Sequence, residues 1–370
     1  VRFRSDCVLA LAWVLDCYDD DEAVRMLLSL VKNKKLPEKV CYNCINLLDN
    51  ILVKYGDKNV IEVLLSLVGD KKLPAGMRHH CVEALNRVLS SHGDGEAVEV
   101  LLSLVRDEQL AMMSRLACVE TLGHLAKEVA PAQTGALAAL ADVSLHSEVR
   151  AALALALGEG ERLLAAPLRL CWEREQDERL KRTLLLALVC LDDQDLGVLA
   201  QGEELALQGH PGGSLDPSES SLWDAYLPEY LAKHSRPETL GRLLRRSRFS
   251  RGWFSGSLIK AIETAERRDL VPVLLDVLEH SSLRAEPTKL RGVKLQGIIR
   301  ALSQLGETPE VARRLLALFQ RAVTDATLPV GYWVVDYLFE ALWHVTRRAG
   351  LLVVERPRGS HRYVLLPRRS

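Results

Sequence analysis

The residues best equipped for chemistry stand near the start of the chain: Cys41 and Cys44 in a Cys-x-x-Cys spacing, then His79, His80 and Cys81. Thiolate and imidazole are the ligands of structural zinc. The spacing argues against a shared ion. Cys44 and Cys81 hold the same place in two successive copies of a repeat, which sets them about one helix-packing distance apart, ~9 Å. Two thiolates on one zinc stand within about 4 Å of each other. The expectation is a buried structural thiol at each position, with no metal site and no cofactor.

A second group is basic and aromatic. The stretch RLLRRSRFSRGWF sets Arg242, Arg245, Arg246, Arg248 and Arg251 around Phe249, Trp253 and Phe254. Guanidinium groups bind phosphates and aromatic faces stack on bases, so nucleic acid is one partner class this segment suits. The same residues also suit a helix that buries Leu240, Leu243 and Leu244 and leaves its arginines in water. Catalytic signatures are missing: there is no G-x-x-x-x-G-K-Ser/Thr, no H-E-x-x-H, no G-x-S-x-G and no glycine-rich turn after a strand. No catalytic residues are assigned, and an enzyme is not expected.

The elements that position these groups come from a repeat. LLSLV occurs at 27–31, 64–68 and 101–105, and KKLP at 34 and 71, each time 37 residues on. A second phrase keeps the same step: CVLALAWVL from Cys7, CINLLDNIL from Cys44, CVEALNRVL from Cys81 and CVETLGHLA from Cys118. Each unit is thus an apolar helix, a Lys-Leu-Pro turn and a second amphipathic helix. Pro37 and Pro74 suit the entry to the second helix because they donate no backbone hydrogen bond. Gly56 and Gly93 suit its end, where a left-handed residue stops the helix.

These phrases resemble the HEAT-repeat family. The best match is SEVRAALALALGEG from Ser147 to Gly160, through Val149, Arg150, Ala151, Ala152, Leu153 and Gly158, with Arg115 and Gly123 lying 35 residues earlier. The resemblance implies an all-α, armadillo-like fold: a right-handed α-solenoid of HEAT-like helical hairpins. A lone hairpin cannot bury its apolar face, so neighbours stack and share one core. The first copy lacks room for its first helix and no initiator Met is present, so the chain is expected to be a fragment of a longer protein.

Stacking would place equivalent second-helix positions in rows on the inner face. One row holds Trp13, Asn50, Arg87 and His124; another holds Leu9, Asn46, Glu83 and Glu120. Core positions repeat while these differ, which suits a surface fitted to an irregular partner and also suits drift of solvated positions. The candidate partner-binding residues are therefore Trp13, Asn46, Asn50, Glu83, Arg87, Glu120 and His124.

Beyond residue 160 the pattern loosens, but second helices remain readable from Leu180, Leu258, Leu290 and Val334. The chain divides into an N-terminal acidic array over 1–195, a Gly-, Pro- and Ser-rich loop or linker over 196–220, a basic array over 221–350, and a tail over 351–370. In the tail, LLVVERPRGSHRYVLL reads as two strands and a turn, a β-hairpin over 351–366 that caps the last helices. The net charge of -1 hides an asymmetry, for residues 236–370 hold 24 Lys and Arg against 13 Asp and Glu. No apolar run reaches the roughly 18 to 20 residues of a membrane span, and acidic residues stand where a signal peptide would be cleaved. With its eight sparse cysteines, the chain reads as cytoplasmic.

The expected function is recognition or scaffolding with a protein partner, the oligomeric state being open. The chain also resembles the C-terminal HEAT array of bacterial NACHT-type signalling proteins, which implies a sensor or regulatory role. The alternative is a nucleic-acid-binding solenoid similar to HEAT-like DNA glycosylases, in which the arginines at 242–251 would converge with Arg356, Arg358, Arg362, Arg368 and Arg369. A third resemblance, to lyase-type HEAT proteins that handle bilins, would call for a reactive thiol or an acidic pocket.

Overall fold

The computed structural model describes residues 29–30, 43–45, 58–70, 73–92, 95–127, 129–208, 217–245, 253–280, 289–324, 332–356 and 359–368. The chain divides into two compact units, Val1–Leu191 and Asp192–Ser370. The described residues of each form α-helical hairpins, and the fold class is the all-α HEAT-like solenoid, with one short β-hairpin near the C-terminus.

In the first unit the described hairpins are α1 (Lys58–Gly69) with α2 (Ala75–His92), α3 (Gly95–Arg106) with α4 (Met112–Ala126), α5 (Ala130–Ala141) with α6 (Ser147–Gly158), and α7 (Ala165–Arg174) with α8 (Glu178–Cys190). Helix starts move by 37 residues from α1 to α3 and from α2 to α4, then by 35 from α3 to α5 and from α4 to α6. Second helices pack in chain order, α2 on α4, α4 on α6 and α6 on α8, while α3, α5 and α7 form the outer partners of the same stack. Pro74 stands before α2, and its carbonyl accepts the Arg78 N–H at 3.1 Å. Gly56 and Gly93 lie outside the described residues.

The core follows the repeated phrase. Cys44, Cys81 and Cys118 are all fully buried beside Ile45, Val82 and Val119. Near the start of α4 and α6 an arginine reaches back to the end of the preceding helix: Arg115 Nε donates to the Val105 carbonyl at 2.8 Å and Arg150 Nε to the Leu140 carbonyl at 2.8 Å. Arg78 of α2 instead reaches forward, its Nη1 donating to the Gln109 carbonyl between α3 and α4 at 3.5 Å. Arg115 and Arg150 therefore pin the two helices of their hairpins together, since a carbonyl at a helix end needs a donor.

Arg150 goes further. Its Nη2 donates to Glu175 Oε2 at 2.6 Å, with both side chains buried. Glu175 Oε1 accepts the backbone N–H groups of Gln176 and Asp177, both at 2.9 Å. Asp177 in turn caps α8 by accepting from Arg179 N–H at 2.8 Å.

In the second unit α9 (Leu196–Gln208) pairs with α10 (Pro217–His234); α11 (Pro237–Arg245) and α12 (Trp253–Thr264) follow, then α13 (Val271–His280) pairs with α14 (Lys289–Leu305) and α15 (Pro309–Thr324) with α16 (Tyr332–Arg348). Between the pairs, α11 packs on α13, and α12 packs on α10 and α14. The linker expected over 196–220 is corrected here: residues 196–208 are helical and α10 begins at Pro217, with 209–216 outside the described residues. Val198, Gly202 and Ala206 recur every four residues and are buried, and Asp195 Oδ1 caps the start by accepting Gly197 N–H at 2.8 Å. Gly202 is here a small residue on a packed helix face, while Gly197 is exposed in the first turn.

Helix ends in this unit are tied by long side chains. Tyr230 Oη donates to the Asp193 carbonyl at 2.6 Å, and Arg267 donates to the carbonyls of Ala232, Lys233 and Ser235 at 2.7, 3.1 and 3.2 Å. Arg348 Nε gives the same support to Gly306 at 3.0 Å. After Gly350, whose φ of 68° is the left-handed turn a glycine favours, β1 (Leu351–Glu355) pairs antiparallel with β2 (Tyr363–Pro367). This is the hairpin expected over 351–366, and it lies against α15 and α16. Among the described residues no helix is long and apolar enough to cross a membrane.

Candidate protein-binding surface

Four of the candidate partner-binding residues fall on the second-helix layer of the first unit. Glu83 and Arg87 lie on α2, Glu120 and His124 on α4. Arg87, Glu120 and His124 are exposed and Glu83 is half-buried. The helix starts differ by the same 37 residues as the residue numbers, so Glu83 matches Glu120 and Arg87 matches His124 on adjacent helices. Trp13, Asn46 and Asn50 lie outside the described residues.

The row changes character as it continues. One position on from His124, at the 35-residue step, is Glu159, exposed at the end of α6 and paired with Lys127 at 3.3 Å. One position on from Glu120 is Leu155, half-buried. The Glu83 row thus runs from charged to apolar within three helices, while the Arg87 row stays polar and exposed.

Beside Glu83 lies a polar cluster that the sequence reading did not assemble. Glu83 Oε2 is 3.0 Å from His80 Nδ1 and Oε1 is 3.5 Å from His79 Nε2, while His79 Nδ1 is 3.2 Å from Ser114 Oγ. Ser, His and Glu are the residue types of a nucleophile relay. Here Ser114 is fully buried between α2 and α4, so its hydroxyl is out of reach of a substrate and the contact joins two hairpins instead. The sequence carries no signal for it, because His79 and Ser114 stand 35 residues apart and so fall off the 37-residue step between α2 and α4.

The thiols behave as buried apolar groups. Burial pushes the Cys118 thiol up to about 12, and burial with a smaller push from Glu159 brings Cys190 to about 12 as well. Among the described residues no group of three metal-ligating side chains converges.

The basic group of the second unit is only partly described. Arg242 and Arg245 are exposed on α11; Arg242 Nη2 contacts Thr239 Oγ1 at 3.3 Å, and Arg245 pairs with Asp276 on α13. Arg246, Arg248 and Arg251 lie outside the described residues, as does the side chain of Trp253, which opens α12; Phe254 is buried. Other arginines of this unit join neighbouring hairpins. Arg314 makes a two-pronged pair with Glu279 at 2.7 and 2.6 Å, Arg300 meets Glu263 at 3.1 Å and Arg268 meets Glu307 at 2.9 Å. Arg356, Arg362 and Arg368 are exposed on the hairpin, and Arg358 and Arg369 lie outside the described residues.

The fold is that of HEAT-repeat α-solenoids. Among solved structures the chain is similar to the crystal structure of Kap121p, with a TM-score of 0.53 at 12% identity over 94% of this chain. A second Kap121p structure, of a triple-substituted form, gives a TM-score of 0.49 at 13% identity over 94% of this chain. The chain spans 40% and 39% of those two chains. No protein-family model matches the sequence. No curated protein matches it either.

Proposed function

We propose that this chain is a non-catalytic recognition or scaffold module that binds a protein partner along the second-helix layer of its first unit. The observation that supports this reading is the contrast within that layer. Cys81 and Cys118 repeat and are buried, while six residues further on Arg87 and His124, and Glu159 at the matching position at the end of α6, are exposed and differ in charge. A stack of hairpins offers a long surface whose outward positions vary without disturbing the core. In its finer form the module is a cytoplasmic sensor or regulatory region of a larger bacterial signalling protein.

A photo-crosslinking amino acid placed at Arg87 or His124 tests this. The same partner should be captured from both positions and not from Leu163 or Leu170, which are exposed on the opposite, first-helix side of the stack. Equal capture from all four, or capture from none, would overturn the proposal.

The alternative reading is nucleic-acid binding by the basic second unit. The engagement of Arg245, Arg268, Arg300 and Arg314 with carboxylates weakens it, because a paired guanidinium has less to offer a phosphate. Duplex binding that falls steeply with added salt and is lost in Arg242→Ala would favour this alternative.

A further inference from the structure

The C-terminal hairpin carries features that an end cap does not need. Its register pairs Glu355 with Tyr363 and Leu351 with Pro367, and just beyond the strands Arg356 N–H donates to the Arg362 carbonyl at 2.8 Å and Arg368 N–H to the Gly350 carbonyl at 2.9 Å. In an antiparallel ladder the bonded pairs alternate. Leu352 with Leu366 and Val354 with Val364 are therefore the bonded pairs, and the N–H and C=O groups of Leu351, Val353 and Glu355 point away from β2.

On the far side, β2 is already held: Gln320 of α15 donates through Nε2 to the Tyr363 carbonyl, and the Tyr363 ring packs edge-on against Phe319 at 5.1 Å. Among the described residues the outward backbone groups of β1 carry no bond, while the β2 edge carries one at Tyr363 and ends in Pro367, which has no N–H to offer another strand.

The faces differ as well. Tyr363 fixes the face that docks on the helices, so Leu352, Val354, Val364 and Leu366 share the other. Leu352 is 45% exposed and Val364 38% exposed. A cap would turn polar residues to water there. On α16, which β1 packs against, Phe339 and Trp343 are also about half exposed. An open strand edge with an apolar face is a template for another strand.

Charge selects the occupant. From Arg347 to Ser370 the sequence holds Arg347, Arg348, Arg356, Arg358, Arg362, Arg368 and Arg369 against the single acid Glu355. Glu355 Oε1 is taken by the His361 N–H at 2.8 Å within the hairpin's own turn. Two such hairpins set edge to edge would bring like charges together, which disfavours a second copy.

We propose that β1 is a docking edge for an acidic, extended peptide segment of a partner protein, which adds as a third strand with alternate aliphatic side chains on the Leu352 and Val364 face. The inference rests on the protein-binding reading only for its class of partner. Its surface lies in the other unit from Arg87 and His124.

The test uses the full chain and two fluorescent heptapeptides, one alternating Glu and Val and the other Lys and Val, read by anisotropy. The Glu-Val peptide should bind and the Lys-Val peptide should not. Val353→Pro removes an outward donor while leaving the bonded pairs of the ladder in place, and it should weaken binding at least about tenfold. Arg356→Glu with Arg362→Glu should weaken it comparably without touching the backbone edge. Retained exchange protection of the Val354 and Val364 amides reports that the hairpin still stands in either variant. Equal binding of the two peptides, binding of neither, or full binding by both variants would overturn the proposal; so would self-association that Val353→Pro abolishes while the Glu-Val peptide fails to bind. Crosslinking from Arg87 and His124 is read separately, so failure of one proposal is distinguishable from failure of the other.

Discussion

Gly123 lies flush against Ala156: a Cβ built on Gly123 would stand 2.6 Å from the Ala156 Cβ. Successive second helices α4 and α6 touch nearly backbone to backbone here. Gly158 repeats the relation one helix on, where a Cβ would stand 2.8 Å from both the Cα and the Cβ of Ala187. The glycine of the HEAT-like phrase therefore sets how closely the second-helix layer can pack.

Gly123→Ala should lower stability by about 1 to 3 kcal/mol through overpacking, outweighing any gain in helix propensity. Ala156→Gly in the same chain should recover part of that loss, because it removes the atom the new methyl meets. Denaturant unfolding of the two single variants and the double variant measures this as a coupling energy. Simple additivity would mean that the contact does not set the spacing.

The Arg150 and Glu175 pair makes part of the stability depend on pH. Burial works to raise the Glu175 carboxyl, but the Asp177 N–H, the Arg150 charge and the Gln176 N–H together hold it below the usual carboxylate range. A lowered folded-state value means its contribution is present above the unfolded glutamate value, about 4.3, and is lost as pH falls through the lower folded value. Glu175→Gln should flatten the acid side of the stability curve. Arg150→Met strands a buried carboxylate and should cost about 3 to 5 kcal/mol near neutral pH. The double variant should cost less than the sum, as read by thermal melts across pH.

Much of this architecture was legible in the residues. The 37-residue step predicts the starts of α2 and α4, and the phrases from Leu180, Leu258, Leu290 and Val334 begin within α8, α12, α14 and α16 and run past their ends. The tail hairpin was legible because β-branched and apolar residues flank a turn. What failed to show was anything requiring the step in the second unit, where no phrase repeats. Arg245 meets Asp276 and Arg314 meets Glu279 across 31 and 35 residues, so these arginines read as a free basic face until the hairpins are stacked. Helix α9 was hidden because Gly197 and Gly202 resemble loop residues, although Gly202 is buried near Leu227 and Tyr230.

Thiol chemistry should separate the buried ladder from exposed positions. Cys44, Cys81 and Cys118 are fully buried, and the Cys118 thiol is pushed up to about 12. Only the thiolate attacks an alkylating reagent. In the native chain at mildly alkaline pH, iodoacetamide should leave these three unmodified, while denaturant should expose them together. Site-resolved mass spectrometry reads the outcome, and fast native labelling of Cys118 would contradict the packing.

Arg267 should be needed as an arginine and not merely as a cation. Its guanidinium spans the carbonyls of Ala232, Lys233 and Ser235 at the end of α10, while its Nη2 and Nε hold Asp269 at 2.7 and 2.8 Å. A planar fork with five donors serves these acceptors at once, and an ammonium group with three does not share that geometry. Arg267→Ala leaves part-buried carbonyls without their donor and should cost about 2 kcal/mol. Arg267→Lys should recover only a small part of it. Hydrogen exchange gives the sharper readout, because the change should concentrate in the last turn of α10 and the following residues to Ser235, with α15 and α16 little altered. Full rescue by lysine would reduce the contact to charge alone and remove the case for a specific tie between the two helix ends.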